Sequence, residues 1–365
     1  MTLLNDLYNE GGQSPWLDNL RRDWIEDGQL ASLVKRGVRG VTSNPTIFAK
    51  AISGSTRYDE QFRLLMTKMS PSEAYWELVA TDIAGAMDVL LPVFTNSNGT
   101  DGYVSVEVAP SLAHDAAGTI DAARKLRSRI EGPNLMVKVP GTEAGLIALR
   151  QLVADGLSIN VTLLFSIDRY DGVVEAYLSG LEDRLASGVK DLSSVAGVAS
   201  FFVSRVDSSI DALLSANATP AALAARGKAA VAQAQVVYQH FTTAFHGPRW
   251  ERLHQAGAQV QRPLWASTST KDPSYPDLLY VDSLIGPETV NTLPDATLEA
   301  FADHGTVART IDLDPEAAQQ QLNDLASFNI SLGDVAATLE RDGLASFAQS
   351  FDELLVELET KAASL

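Results

Sequence analysis

Short apolar runs recur along the chain, separated by stretches whose apolar positions fall three and four residues apart. The runs GVRGVTSNPT (37–46), YVSVEVAP (103–110), LMVKVPGT (135–142), SINVTLLFS (158–166), GVASFFVSRV (197–206), RPLWASTST (262–270) and LLYVDSLIG (278–286) have strand length and β-branched content. SPWLDNL (14–20) is a weaker candidate. Between them HDAAGTIDAARKLRSRI, EAGLIALRQLVADG and YDGVVEAYLSGLEDRLASG read as amphipathic helices, with Thr142 and Ser166 placed as N-caps and Gly156 as a stop. Strands alternating with helices mean βαβ units and a parallel sheet. Eight strands predict an α/β fold of the (β/α)8 TIM-barrel type. An open doubly wound sheet is the rival, weakened because no GxGxxG follows the first strand. The chain is expected to be one barrel domain over 1–365, with helical insertions at about 50–100 and 211–258 and a helical C-terminal extension over about 310–365.

Strand side chains alternate between two faces. In VSVEV, Ser105 and Glu107 oppose three valines; in LMVKVP, Met136, Lys138 and Pro140 oppose Leu135, Val137 and Val139; in NVTLL, Asn160 and Thr162 oppose Val161 and Leu163. Thr42 and Asn44 pair in the same way. In a barrel the β-branched face packs on the helices, so Asn44, Glu107, Lys138, Asn160 and Thr162 point at a common axis, near the C-terminal ends of the strands. Taken singly, each has a structural reading: Lys138 on a solvated edge, Glu107 as its ion-pair partner, Asn44 as a turn former before Pro45, Thr162 as packing. Taken together, several buried polar groups on facing strands must satisfy one another or a ligand.

Composition narrows the chemistry. Lys+Arg total 28 against 46 Asp+Glu, a net charge of −18, which disfavours nucleic acid and anionic membranes as partners. A phosphate ester then needs a local basic pocket. With no cysteine, disulfides, thiol catalysis and thiolate metal sites are excluded. The histidines, His114, His240, His246, His254 and His304, lack HExxH spacing, and no metal site is expected. MTLLNDLYNEGGQ carries no signal-peptide pattern, and no run approaches the roughly 18 uninterrupted apolar residues of a membrane span, so a cytoplasmic location is expected.

A lysine inside an apolar strand suggests covalent catalysis. A free lysine titrates at about 10.4, and bringing an amine to about 7 takes roughly 3.4 units, about 4.6 kcal/mol, which burial can supply. The neutral amine attacks carbonyls to form a Schiff base, and the protonated imine stabilises a neighbouring carbanion. Carbon–carbon bond cleavage or formation beside a ketone follows as the reaction class. It also needs acid–base groups, for which Glu107 and, on the weak first strand, Asp18 are available. Taken alone, Asp18 reads more readily as an N-cap for the helix NLRRDWIEDGQLASLVKRG than as a catalytic group.

WLDNL (16–20), GVTSNPTIF (40–48), VSVEVAP (104–110), MVKVPGT (136–142), INVTLLFS (159–166) and SFFVSRVD (200–207) follow one another in the order found in transaldolases, and the chain resembles that family's longer bacterial and plant-like branch along nearly its whole length. The resemblance implies a Schiff-base enzyme on a (β/α)8 barrel that needs no cofactor. It implies that Lys138 forms the imine, Asp18 is the general acid/base, and Glu107 and Thr162 handle the water of imine formation. It also implies that Asn44 and Asn160 hold substrate hydroxyls near Thr42, Ser105 and Ser200, with Phe202 beside the site and Arg205 on a phosphate. The substrates implied are small sugar phosphates, with a dihydroxyacetone unit passing from sedoheptulose 7-phosphate to glyceraldehyde 3-phosphate. A class I aldolase releasing free dihydroxyacetone from fructose 6-phosphate and a non-catalytic sugar-phosphate-binding barrel are the alternatives. A monomer or homodimer is expected. One departure stands out. The shorter enzymes carry a second phosphate-binding arginine on the seventh strand, where this chain reads ASTSTKDP (266–273). Ser267 is the expected phosphate-contacting hydroxyl there, and Lys271 the replacement charge.

Overall fold

A computed structural model describes residues 2–363. Eight parallel strands close in sequence order into a barrel: β1 Gln13–Leu17, β2 Val41–Thr42, β3 Val104–Glu107, β4 Leu135–Pro140, β5 Ile159–Leu164, β6 Gly197–Phe202, β7 Gln261–Ala266 and β8 Thr289–Leu293. The fold is a (β/α)8 TIM barrel. Helices follow the strands as the periodicity predicts, among them Ala116–Arg129, Glu143–Asp155 and Ile167–Ala186. Thr142 and Ser166 cap the latter two by accepting the N–H groups of Gly145 and Arg169, and left-handed Gly156 ends the first of these.

The eighth strand lies elsewhere than the sequence suggests. LLYVDSLIG contains the short helix Leu279–Asp282, and the strand is TVNTL, which pairs with β1 and β7. The apolar run is buried as a short helix and turn, while TVNTL is a buried strand whose polar groups are satisfied within the fold. Thr289 Oγ1 donates to the Gly286 carbonyl at 2.6 Å, and Asn291 Nδ2 donates to that of Tyr280 at 3.3 Å. Hydropathy therefore points to the wrong one of two adjacent segments.

β2 is two residues long because its successor turns at once into a helix. Asn44 Oδ1 accepts the Ile47 N–H, and Pro45 fills the first turn of Pro45–Ser53. β5 is irregular: its register with β6 shifts between Val161 and Leu164, and Leu163 takes φ +62°. Leu163 thus leaves the alternating pattern expected of NVTLL and faces Gly343 of the C-terminal helix, where an added Cβ would come within 3.1 Å of Leu163 Cδ2.

The N-terminal end of the barrel is closed by a polar plug. Buried Asp101 accepts from Ser14 Oγ at 2.7 Å and Trp16 Nε1 at 3.2 Å, and pairs with Arg39 at 3.0 Å and Arg262 at 3.1 Å. The lumen's remaining polar groups therefore address the C-terminal end.

Helix Pro71–Asn96 is long and apolar enough, by length and composition, to cross a membrane. In this fold it packs on β3 and on neighbouring helices, and its buried Asp82 is held by Arg22 at 2.7 Å and by the Tyr58 hydroxyl at 2.7 Å. Further helices occupy 220–255, and the tail contains Pro315–Asp324 and the long helix Leu332–Ala363. The latter packs on Pro45–Ser53, on Pro71–Asn96, on Ser204–Asn217 and on β5, which lays it across the barrel mouth. Residues 364 and 365 of the expected extension lie outside the described residues.

Candidate active site

The strand register brings the polar residues into one cluster. Glu107 and Asn160 are the Cα partners of Lys138 on its two sides, and Thr162 is the partner of Pro140 one pleat further along. Lys138 is 5% exposed. Its Nζ lies 3.5 Å from Glu107 Oε2 and donates to the Ser43 carbonyl at 3.4 Å. From above, the Phe347 ring of the C-terminal helix sits 6.0 Å from the same nitrogen, within cation–π range. Lys138 is thus an interior residue, and the solvated-edge reading fails.

Asn160 links three strands. Its Nδ2 donates to Ser105 Oγ at 3.1 Å and its Oδ1 accepts from Ser200 Oγ at 2.7 Å. Asp18 follows β1 directly, anchored by its N–H to the Leu293 carbonyl at 2.9 Å. Its carboxylate accepts from Thr42 Oγ1 at 2.8 Å, and Thr42 Oγ1 lies 2.6 Å from Thr292 Oγ1. The capping role does not apply to Asp18, since the next helix, Arg22–Glu26, starts after Arg21. Asn44 combines both readings: its carbonyl caps a helix, which leaves its amide donors for other partners.

Burial governs the acids. It raises the Glu107 carboxyl above its ordinary value, against the opposing pull of the Lys138 charge. It raises Asp18 as well, opposed by Lys138 and by the Thr42 hydrogen bond. Thr162 Oγ1 is buried without a hydrogen-bond partner, and Glu107 Oε2 has no partner beyond its 3.5 Å ion-pair contact with Lys138. A buried unpartnered hydroxyl costs roughly 1–3 kcal/mol. Such a hydroxyl and a singly paired carboxylate oxygen beside one lysine can receive an incoming oxygen.

A second group lies at the ends of β6 and β7. The Arg205 guanidinium stands 5.2 Å over the Phe202 ring, which packs on Phe165 with centroids 5.2 Å apart. Burial lowers the Arg205 pKa, and the Asp18 carboxylate opposes that. Ser267 takes φ +56° directly after β7, and its Oγ lies 2.9 Å from Ser204 Oγ. Lys271 follows, its Nζ donating to Ser269 Oγ at 2.6 Å. Burial and then the neighbouring Arg205 cation lower the Lys271 ammonium. Two cations converging at a barrel mouth suit an anionic group. Among the described residues no cluster of three or more His, Asp or Glu is arranged to hold a metal ion.

Sequence reasoning missed three contributors. Ser43 acts through its carbonyl, which carries no side-chain signal. Thr292 belongs to the misplaced strand. Phe347 comes from an amphipathic tail whose docking site no local pattern reveals.

The family model described as transaldolase/fructose-6-phosphate aldolase matches residues 15–358. The chain is 49% identical over 364 residues to a transaldolase of Parafrankia sp. (strain EAN1pec), covering 99% of this chain and 98% of that one. It is 47% identical over 359 residues to a transaldolase of Thermobifida fusca (strain YX), covering 98% and 97%. With a transaldolase of Neisseria gonorrhoeae (strain ATCC 700825 / FA 1090) it shares 45% identity over 359 residues, covering 98% and 100%. A closed (β/α)8 barrel with a buried lysine and two carboxyl groups at its mouth, matched along almost its full length to these proteins, belongs to the transaldolase/fructose-6-phosphate aldolase family and is an enzyme of the transaldolase type.

Proposed function

We propose that the enzyme transfers a dihydroxyacetone unit from a ketose phosphate, such as sedoheptulose 7-phosphate, to glyceraldehyde 3-phosphate through a Schiff base on Lys138. The observation that carries this reading is the burial of Lys138 at 3.5 Å from Glu107, beside the unpartnered Thr162 hydroxyl. The Lys138 amine attacks the C2 ketone to give a carbinolamine. Glu107, with Thr162, delivers a proton to the C2 hydroxyl, which leaves as water and gives the protonated imine.

Asp18 then takes the C4 hydroxyl proton. The C3–C4 bond breaks, its electron pair moves into the imine to form an enamine, and erythrose 4-phosphate leaves as the aldehyde. The enamine attacks C1 of glyceraldehyde 3-phosphate, and Asp18 returns its proton to the new alkoxide. Hydrolysis, with Glu107 and Thr162 placing the water, releases fructose 6-phosphate. Thr42, Asn44, Ser105, Asn160 and Ser200 orient the substrate hydroxyls directly or through the Asn160 network, while Phe202 walls the site. Arg205, Ser267 and Lys271 grip the phosphate. The reaction is cytoplasmic in this reading, carried out by a monomer or homodimer, and the imine serves as the electron sink.

The description of the matching family also favours a second reading, an aldolase that releases dihydroxyacetone. Product analysis separates the two. With sedoheptulose 7-phosphate, transfer predicts fructose 6-phosphate formation that depends on glyceraldehyde 3-phosphate and little free dihydroxyacetone in its absence. Steady release of free dihydroxyacetone without an acceptor would establish the aldolase.

A further inference from the structure

Helix Ser204–Asn217 carries Arg205 in its first turn, and Asp207 and Asp211, one helical turn apart, share one of its faces. The two aspartates make matching junctions. Asp207 accepts the Ala230 N–H at 2.8 Å and the Tyr280 hydroxyl at 2.9 Å. Asp211 accepts the Gly227 N–H at 2.9 Å and the Tyr275 hydroxyl at 2.7 Å. In each, one oxygen holds the backbone of the 227–230 segment and the other holds a tyrosine from the segment that follows β7. Arg226 ties those two segments together through Asp272 at 2.8 Å. Gly227 adopts φ +70°, and an added Cβ there would lie 2.8 Å from Tyr275 Cζ, so the ring is seated directly on this backbone.

Lys271 lies within the segment so held. Before it, Ser204 N–H donates to the Ser267 carbonyl at 3.0 Å and the two hydroxyls meet at 2.9 Å. After it come the Asp272, Tyr275 and Tyr280 junctions. The element that presents Arg205 is therefore also the element from which the Lys271 segment hangs. Packing alone does not call for this arrangement. Burying carboxylates against hydroxyls costs more than filling the same space with apolar side chains. What hydrogen-bonded pairs add is a defined geometry between the two pieces they join.

We propose that Asp211–Tyr275 and Asp207–Tyr280 are positioning pairs that hold Lys271 and Ser267 opposite Arg205 and so set the preference for phosphorylated over unphosphorylated substrates. This rests on the reading of Arg205, Ser267 and Lys271 as the phosphate contacts. In this role the aspartates and tyrosines act through the segment they hold, not on the substrate.

Tyr275→Phe keeps the ring and removes the hydroxyl. Losing a hydrogen bond to a charged acceptor predicts a KM for fructose 6-phosphate raised about 10- to 150-fold if the whole effect reaches the phosphate site. The kcat should stay unchanged, as should kcat/KM for unphosphorylated fructose, and inorganic phosphate should inhibit more weakly. Tyr280→Phe, the same deletion at the other junction, should give the same split, and thermal melts of both variants establish that they are folded. A KM that does not move, or that moves equally for both substrates, overturns the proposal. Lys271→Ala, measured in parallel, separates the two levels. If it raises the KM for fructose 6-phosphate while both tyrosine variants leave it alone, the positioning role fails and the phosphate contact stands. If Lys271→Ala also leaves that KM unchanged, the phosphate role of Lys271 fails and the positioning role with it.

Discussion

Lys138 Nζ and Glu107 Oε2 stand 3.5 Å apart on hydrogen-bonded neighbouring strands, with only 6% of either side chain exposed. An ion pair so enclosed is a poor device for stability, because desolvation of both partners offsets their attraction. It is a good device for moving a proton. Burial raises the Glu107 carboxyl, so the acid holds its proton to a higher pH than a surface glutamate and can deliver it to a leaving hydroxyl.

A pH consequence follows for Glu107. In the proposed mechanism imine formation needs the protonated acid, so its rate should fall as pH rises through the raised Glu107 pKa, on a limb lying above the ordinary carboxyl range. Glu107→Gln should form the imine on the order of 100-fold more slowly and should lack that limb. Single-turnover imine formation followed from acid to alkaline pH would test both. A variant with the parental rate and profile would show that Glu107 only balances charge.

In the proposed mechanism Asp18 has the opposite requirement, since it must be ionised to take the C4 proton. Its carboxyl is also raised by burial, so cleavage should fail on the acid side at a pH above that expected of a free aspartate. Asp18→Asn should lower kcat by about 10²- to 10⁴-fold and leave imine formation at Lys138 intact. Stopped-flow and product analysis distinguish these steps, and loss of imine formation itself in this variant would move Asp18 to an earlier step.

Phe347 closes the lysine from above. Phe347→Ala should open Lys138 to solvent, so that an amine-specific acylating reagent modifies it at least about tenfold faster, for a truncation that costs roughly 3–5 kcal/mol in a well-packed site. Peptide mapping after brief acylation reads the rate at this one residue. Unchanged reactivity would mean that the C-terminal helix does not guard the amine.

The barrel was legible from the chain because its strands and helices carry different apolar periods, and because β3, β4 and β5 place Glu107, Lys138, Asn160 and Thr162 on one face in plain alternation. Three features were not. β8 was hidden because Thr289, Asn291 and Thr292 are satisfied by Gln13, Thr268 and Thr42, partners distant in the chain, so a buried strand reads as polar while the neighbouring apolar run 278–286 forms a short helix and turn. Leu163 left its expected face because a register shift in β5 is a tertiary event with no local signature. The cover over Lys138 depends on where a tail helix docks, and an amphipathic pattern states only that it docks somewhere.

The central claim is that a sugar becomes covalently joined to Lys138. Borohydride reduction of the enzyme during turnover with fructose 6-phosphate, followed by peptide mass mapping, tests it most directly. The account predicts a reduced three-carbon adduct on the peptide containing Lys138 and none in Lys138→Met. An adduct on another lysine, or its complete absence from an enzyme that is turning over, would contradict it.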